Sequence, residues 1–171
     1  MVQTLSHCAQ EVYAHDRDRF LLSLFVPARE REALLALYAL NVELARIHDK
    51  ISEEMIGHVR YAWWQEALEA LYEGQPARGQ PVLEALVPVI AAGYLPREML
   101  MPLVEKYREH FPELPPEIDS MMEQISLHLL HSLCPGAEPH WRRAQGIITK
   151  HRGRYGQCRN GWMSFKLLIG I

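Results

Sequence analysis

The chain has 171 residues, of which 49% are hydrophobic and 23% charged, with a formal net charge of −3. These values are typical of one globular domain with a real core, and they exclude a disordered or low-complexity chain. Three cysteines without a CxxC pair argue against a disulfide-stabilised secreted domain, and no apolar run reaches the roughly 18 residues of a membrane-spanning helix.

The N-terminal sequence lacks the apolar core of a signal peptide and carries acidic residues early. We therefore expect a cytoplasmic protein, and the sequence leaves peripheral membrane contact open.

The first long helix is predicted to begin at Pro27, because proline is tolerated in the first helical turn. Its apolar residues recur at helical spacing and define one predicted buried face: Leu34, Leu37, Tyr38, Asn41, Leu44 and Ala45.

A second helix is predicted from an N-cap at Ser52 to about Tyr72, closed by Gly74. Its predicted apolar face carries Ile56, Val59, Trp63, Ala67 and Ala70, with Trp64, Leu68 and Leu71 beside them. Adjacent tryptophans on a helix point about 100° apart, so we expect one in the core and the other at a groove or partner surface.

Further helices are predicted over 81–92, from Pro96 to about 111, over 118–133 and over 141–152. Pro102 inside the fourth of the six predicted helices either kinks it or resets its start. Six or so helices with short connections predict an all-α bundle.

The charge is distributed unevenly, which suggests two segments. Residues 139–171 contain seven Lys or Arg and no acid, whereas residues 1–138 contain all 21 acids. We predict a helical domain over 1–138 and a basic tail over 139–171. Such a tail suits anionic lipid or nucleic acid, but no nucleic-acid-binding motif is complete, so nucleic acid is not the expected partner.

Carboxylates near the end of the first long helix form the candidate site. Asp49 and Glu53 have the i, i+4 spacing that places two side chains on one helical face, where they would ligate Mg²⁺ together. The predicted cap at Ser52 interrupts that helix, however, and favours a capped junction over a metal or diphosphate site. His128 and His131 form an HxxH pair without a third ligand, which favours structural histidines.

The order of segments resembles the squalene/phytoene synthase family. The resemblance covers about residues 20–133 and rests on RDRFLLSLFVPAREREALLALYAL, then WWQEALEALYEGQP, then PVLEAL. It implies the N-terminal part of an isoprenoid-synthase-type helical fold. It also implies chemistry in which two aspartate motifs hold Mg²⁺ on the diphosphate of an isoprenyl substrate.

The first aspartate motif of that family is degraded here. Without gaps its positions fall on Ala45, Arg46, Ile47, His48 and Asp49, of which Asp49 alone is an aspartate. No aspartate follows Asp119, so the second motif has no counterpart in this chain. Because the metals neutralise the leaving diphosphate, a missing carboxylate removes a ligand that few other residues replace.

Within the family, NVELARIHDKISEEMIGHVRYAWWQE is most similar to the branch of mitochondrial complex I assembly factors with a phytoene-synthase-like domain and their bacterial relatives. That resemblance predicts a catalytically degenerate helical assembly or binding factor with a protein partner and no cofactor. The alternative is an active, Mg²⁺-dependent prenyltransferase of isoprenoid biosynthesis that condenses two isoprenyl diphosphates. It would use Asp49 and Glu53 on the metal, and Arg46 and Arg60 on phosphate.

Overall fold

A computed structural model describes residues 5–51, 53–136 and 138–155, with side chains described up to residue 147. Its elements are α1 (His7–His15), α2 (Arg17–Ser23), α3 (Ala28–Lys50), α4 (Glu54–Tyr72), α5 (Pro81–Ala91), α6 (Arg97–His110), α7 (Ile118–Leu133) and α8 (Glu138–Tyr155). These ranges contain no strand, which confirms the predicted all-α bundle.

Helix α3 is the centre of the bundle, because α1, α2, α4, α5, α6 and α7 all contact it. Every residue from Leu34 to Val42 is buried. The prediction of one apolar face on this helix was therefore too narrow, although five of its six residues are buried and Ala45 is half-buried. A helix surrounded by neighbours has to be apolar on all sides, and LLALYAL meets that requirement.

Two N-terminal helices, α1 and α2, were not predicted. Ser6 accepts a hydrogen bond from the Ala9 amide at 3.1 Å and caps α1. Asp16 accepts one from the Arg19 amide at 3.1 Å and caps α2. Serine and aspartate are favoured N-cap residues, so the sequence did contain these two start signals.

The start of α4 lies one residue later than predicted, with Glu53 at the N-cap position and no side-chain capping bond. Ser52 itself lies outside the described residues. The predicted closure is confirmed, since Gly74 follows Tyr72 with a φ of 77°, a conformation that favours glycine.

The predicted face of α4 was wrong in its first half. Ile56, Val59 and Trp63 are exposed, whereas Gly57, Tyr61 and Trp64 are buried. The prediction that one tryptophan of the pair is in the core and the other at the surface is confirmed. The rotation is set by a close contact at Gly57 and by the Tyr61 hydroxyl, which donates to the Leu44 carbonyl at 3.1 Å.

The remaining predicted helices are present. Helix α7 has the predicted bounds, and α5 ends before Gly93, whose φ is 73°. Helix α6 begins after Pro96 and continues through Pro102, so this proline does not reset the start.

The first part of the basic segment is helical. Its predicted helix lies within α8, and Trp141 and Ala144 of α8 belong to the core. The division at 138/139 stays a prediction, and residues 156–171 lie outside the described part of the chain. Within the described ranges, each helix is too short or too polar to cross a membrane.

The stability of the bundle is expected to decrease at alkaline pH, because it buries side chains that lose a proton there. Burial raises the pKa of Tyr38 to about 12 and that of Cys8 to about 11, and it raises the pKa values of Tyr61, Tyr72 and Tyr107. These groups are neutral when protonated, so above about pH 8.5 the unfolded chain releases protons that the native state retains.

We therefore expect the free energy of unfolding to be unaffected by these groups below about pH 8.5 and to fall as the pH rises toward about 12. Urea unfolding between pH 7 and 11 measures this slope. Tyr38→Phe should reduce the slope, because it removes one of these buried groups. A urea midpoint that does not change between pH 7 and 11 would contradict this expectation.

Candidate functional site

The predicted site residues lie around the junction of α3 and α4. Arg46 and Asp49 are in the last turns of α3, Glu53 is the N-cap residue of α4, and Arg60 lies in its second turn. The junction also contains His48, whose imidazole is edge-on to the ring of Phe111 with centroids 6.5 Å apart.

Arg46 is paired with protein carboxylates. Its guanidinium donates to Glu11 on α1 at 2.7 Å and to Glu43 on α3 at 3.1 Å. Both carboxylates are about three-quarters buried, so the ion pairs are partly shielded from solvent. Arg46 would have to leave these partners before it could bind a diphosphate.

Asp49 faces solvent, with its side chain 65% exposed and its Oδ1 3.6 Å from Nδ1 of His48. Glu53 and Arg60 are exposed as well. In the part of the chain that the structure describes, no group of three or more His, Cys, Asp or Glu side chains is arranged to hold a metal ion. The assignment of Asp49 and Glu53 to Mg²⁺, and of Arg46 and Arg60 to phosphate, stays a prediction.

The interior beside this junction is filled by aromatic side chains. The Tyr107 hydroxyl donates to Asn41 Oδ1 at 3.0 Å, and the rings of Tyr61 and Tyr107 stack with centroids 6.1 Å apart. Phe111 packs edge-on against Tyr61 with centroids 5.8 Å apart. The side-chain oxygen of Asn41, a buried polar residue of α3, thereby has a hydrogen-bond partner within the bundle.

Gly57 leaves room for the ring of Phe111 in this aromatic cluster. A Cβ atom at residue 57 would lie 2.3 Å from Cε1 of Phe111, well inside van der Waals contact. His58 also packs edge-on against the same ring, with centroids 5.8 Å apart. The close approach of Phe111 to the α4 backbone explains why glycine occupies this position.

Arg19 on α2 is the second cation held between carboxylates. It donates to Asp16 at 2.6 Å and to Asp119 of α7 at 2.7 Å, and its side chain is 19% exposed. Burial lowers the pKa of Arg19, but the two carboxylates outweigh this effect and raise the pKa above its usual value. This guanidinium joins two helices, which is a structural role.

The exposed surface of α4 carries large apolar side chains. Met55 and Val59 are 80% and 65% exposed, and Ile56 and Trp63 are exposed on the same side of the helix. We name these four residues the α4 stripe. Glu54, Met55, His58, Val59 and Ala62 border an open, shallow depression on this side of α4. Contiguous exposed apolar side chains are typical of interaction surfaces.

The long-range contacts that hold the interior together were not predicted from the sequence. Tyr107 meets Asn41 across 66 residues, and Arg19 meets Asp119 across 100. No local pattern signals such contacts. Gly57 lies within the segment that carries the resemblance to the assembly factors, but nothing in that segment points to its partner Phe111.

Comparisons with known proteins agree with this picture. The model of the squalene/phytoene synthase family matches residues 12–120. The chain is 29% identical to NADH dehydrogenase (ubiquinone) complex I, assembly factor 6 of Homo sapiens, with 84% of this chain and 47% of that protein covered. It is also 29% identical to the homologous assembly factor of Drosophila melanogaster, with 84% and 48% covered.

The chain thus spans about half the length of the curated relatives it matches. No solved structure gives a significant match.

Proposed function

The chain belongs to the squalene/phytoene synthase family, and from this premise we propose that it is a catalytically degenerate member that acts as a helical assembly or binding factor. The observation that carries the proposal is the environment of Arg46. This arginine occupies a position where the family resemblance implies an aspartate, and it is hydrogen-bonded to Glu11 and Glu43. A cation held there by two protein carboxylates takes the place of a metal ligand.

The neighbouring motif positions support the same proposal. Ala45 occupies the other position where the resemblance implies an aspartate, and it is half-buried. It supplies no carboxylate, so Asp49 remains as the single exposed acid of the motif. The family chemistry, as the resemblance implies it, uses two aspartate motifs to hold the metals on the diphosphate, and this junction offers one carboxylate of the first motif.

The partner is inferred from the relatives. They are named as assembly factors of NADH dehydrogenase complex I, and we propose that this chain likewise binds a protein during assembly of that complex. A cytoplasmic location with peripheral membrane contact belongs to the same proposal.

Deletion of the gene in the source organism tests the two functions against each other. We expect less assembled NADH dehydrogenase complex, measured on native gels, and unchanged amounts of squalene- or phytoene-type products. Reintroduced Asp49→Ala protein should restore assembly as well as the wild-type protein does, because the carboxylate has no metal to hold. Loss of the isoprenoid product, restored by wild type but not by Asp49→Ala, would establish the active prenyltransferase instead.

A further inference from the structure

The α4 stripe is an apolar surface that stays in contact with solvent in the described bundle. Met55 and Val59 are 80% and 65% exposed, and Ile56 and Trp63 are exposed beside them. Successive helical residues are about 100° apart, so these four side chains fall within an arc of about 100° along roughly two and a half turns of α4. Large apolar side chains gathered in this way lower the free energy when another surface removes them from water.

The stripe is short and has defined ends. Glu66 follows Trp63 by about one helical turn, and its carboxylate lies 4.0 Å from Arg78 in an ion pair of the same chain. Met55, in the first turn of α4, is at the other end. From Met55 to Trp63 the helix rises by about 12 Å. A partner therefore needs to supply only about two turns of helix, which a second copy of α4 does.

One edge of the stripe carries an arginine and a glutamate that have no partner. Counted at about 100° per residue, Arg60 lies about 40° beyond Ile56, and Glu53, at the N-cap of α4, lies about 60° beyond it. Both side chains are exposed, and neither makes a hydrogen bond or an ion pair with another described residue. They are about 10 Å apart along the helix axis. This edge therefore presents one positive and one negative group to a partner.

The other edge of the stripe is shallow. Ala62 lies about 20° before Met55 on the helical projection and borders the open depression on this side of α4. An alanine at this position leaves room for a second helix, whose axis would lie about 8–10 Å away in an ordinary helix pair. The stripe is thus accessible to a helix from this edge and charged along the other.

Two copies of α4 in antiparallel orientation match both edges. In such a pair each edge faces the same edge of the other helix, as in antiparallel coiled coils. A two-fold axis between residues 56 and 57 brings Arg60 of each copy opposite Glu53 of the other, because the two positions are equally far from the axis. The same axis places the two Ile56 side chains together and Met55 close to Val59 of the second copy. A parallel pair would keep Arg60 and Glu53 apart.

The charges beside the stripe disfavour a membrane surface as its occupant. Three acidic residues border the stripe or its ends, namely Glu53, Glu54 and Glu66. Arg60 and His58 are the basic residues beside it. Anionic lipid headgroups attract clusters of Lys and Arg, which this surface lacks. A self-complementary protein surface fits this mixture of charges better.

We propose that the α4 stripe is a self-association surface, through which two copies of this chain pair along antiparallel α4 helices with reciprocal Arg60–Glu53 ion pairs. A contact of about two helical turns per copy buries on the order of 1,000 Å² in total, the low end for specific interfaces, so the dimer is weak and reversible. The inference concerns the outer surface of α4 and holds whichever of the two functions considered above is correct.

Sedimentation velocity of the full chain at 1–200 µM and low ionic strength tests the proposal. We expect the weight-average mass to rise with concentration from 19.8 kDa toward twice that value. Val59→Asp should keep the chain monomeric over this range, because it places a charge in the stripe. Val87→Asp, at an exposed position of α5, is the matched control and should dimerise like the wild type.

Charge reversal tests the antiparallel register. Arg60→Glu and Glu53→Arg should each weaken the dimer about fivefold or more, since each places like charges opposite one another. The double variant should return to within about threefold of the wild type, because the pairs form again with reversed sign. A wild-type chain that is monomeric at 200 µM would overturn the proposal, as would dimerisation that survives Val59→Asp. A double variant no better than the single ones would overturn it too.

Discussion

Replacement of Arg19 by methionine is expected to lower the free energy of unfolding by about 3 kcal/mol or more, as expected when one partner of a buried ion pair is removed. The methionine side chain retains most of the packing volume, but Asp16 would keep a largely buried carboxylate without its cation. For a domain of this size, a loss of that magnitude lowers Tm by roughly 6–12 °C. Thermal unfolding followed by circular dichroism measures it.

Two further variants separate burial from charge in this cluster. Asp119→Asn removes the other carboxylate, which is 76% exposed, and should change the stability by less than about 1 kcal/mol. Adding Asp16→Asn to Arg19→Met should recover part of the loss, because asparagine still caps α2 and leaves no unpaired charge. Equal effects of Arg19→Met and Asp119→Asn would contradict the view that Arg19 is a buried structural cation.

Gly57→Ala is expected to destabilise the protein by about 1–3 kcal/mol, although alanine is the better helix former. The added Cβ would lie 2.3 Å from the ring of Phe111, so the ring or the helix has to move. Phe111 is held between Tyr61, His48 and His58 and has little room to do so. Urea unfolding at neutral pH gives the free energy.

Gly146→Ala in α8 is the matched control, because a Cβ atom there meets nothing within 4 Å. It should be neutral or stabilise by up to about 1 kcal/mol. Phe111→Leu replaces the ring with a smaller side chain. When the two substitutions are combined, Gly57→Ala should therefore lower the free energy of unfolding by less than it does alone. A stability of Gly57→Ala equal to that of the wild type would show that Phe111 does not pack against α4 as described.

The helices with strong hydrophobic periodicity and clear start or stop residues were predictable from the sequence. Helix α7 has the predicted bounds, and α4 ends at the predicted Gly74, because positive φ favours glycine. The short helices α1 and α2 were missed, although Ser6 and Asp16 are good caps, because 7–9 residues carry little periodicity.

The face that α4 buries was not predictable from hydrophobicity. Ile56 and Val59 are more apolar than Gly57 and Tyr61, which are buried in their place, but Gly57 is the position that admits Phe111. Steric fit over a long sequence separation therefore decided the rotation. The same holds for the filled interior, where Tyr107 and Asn41 meet from different helices.

The chemistry of the junction was partly accessible from the sequence. The lack of carboxylates at Ala45 and Arg46 is visible in the residue types, and it made a degenerate site the preferred interpretation. The pairing of Arg46 with Glu11 was not visible, because Glu11 belongs to a helix that was not predicted.

Calorimetric titration of the chain with Mg²⁺ and a non-hydrolysable thio analogue of farnesyl diphosphate tests directly whether a diphosphate site exists at this junction. The pairing of Arg46 with Glu11 and Glu43, and the exposure of Asp49, predict no Mg²⁺-dependent binding heat at millimolar metal and no difference between wild type and Asp49→Ala. Saturable binding of the analogue that requires Mg²⁺ and is abolished by Asp49→Ala would contradict the account.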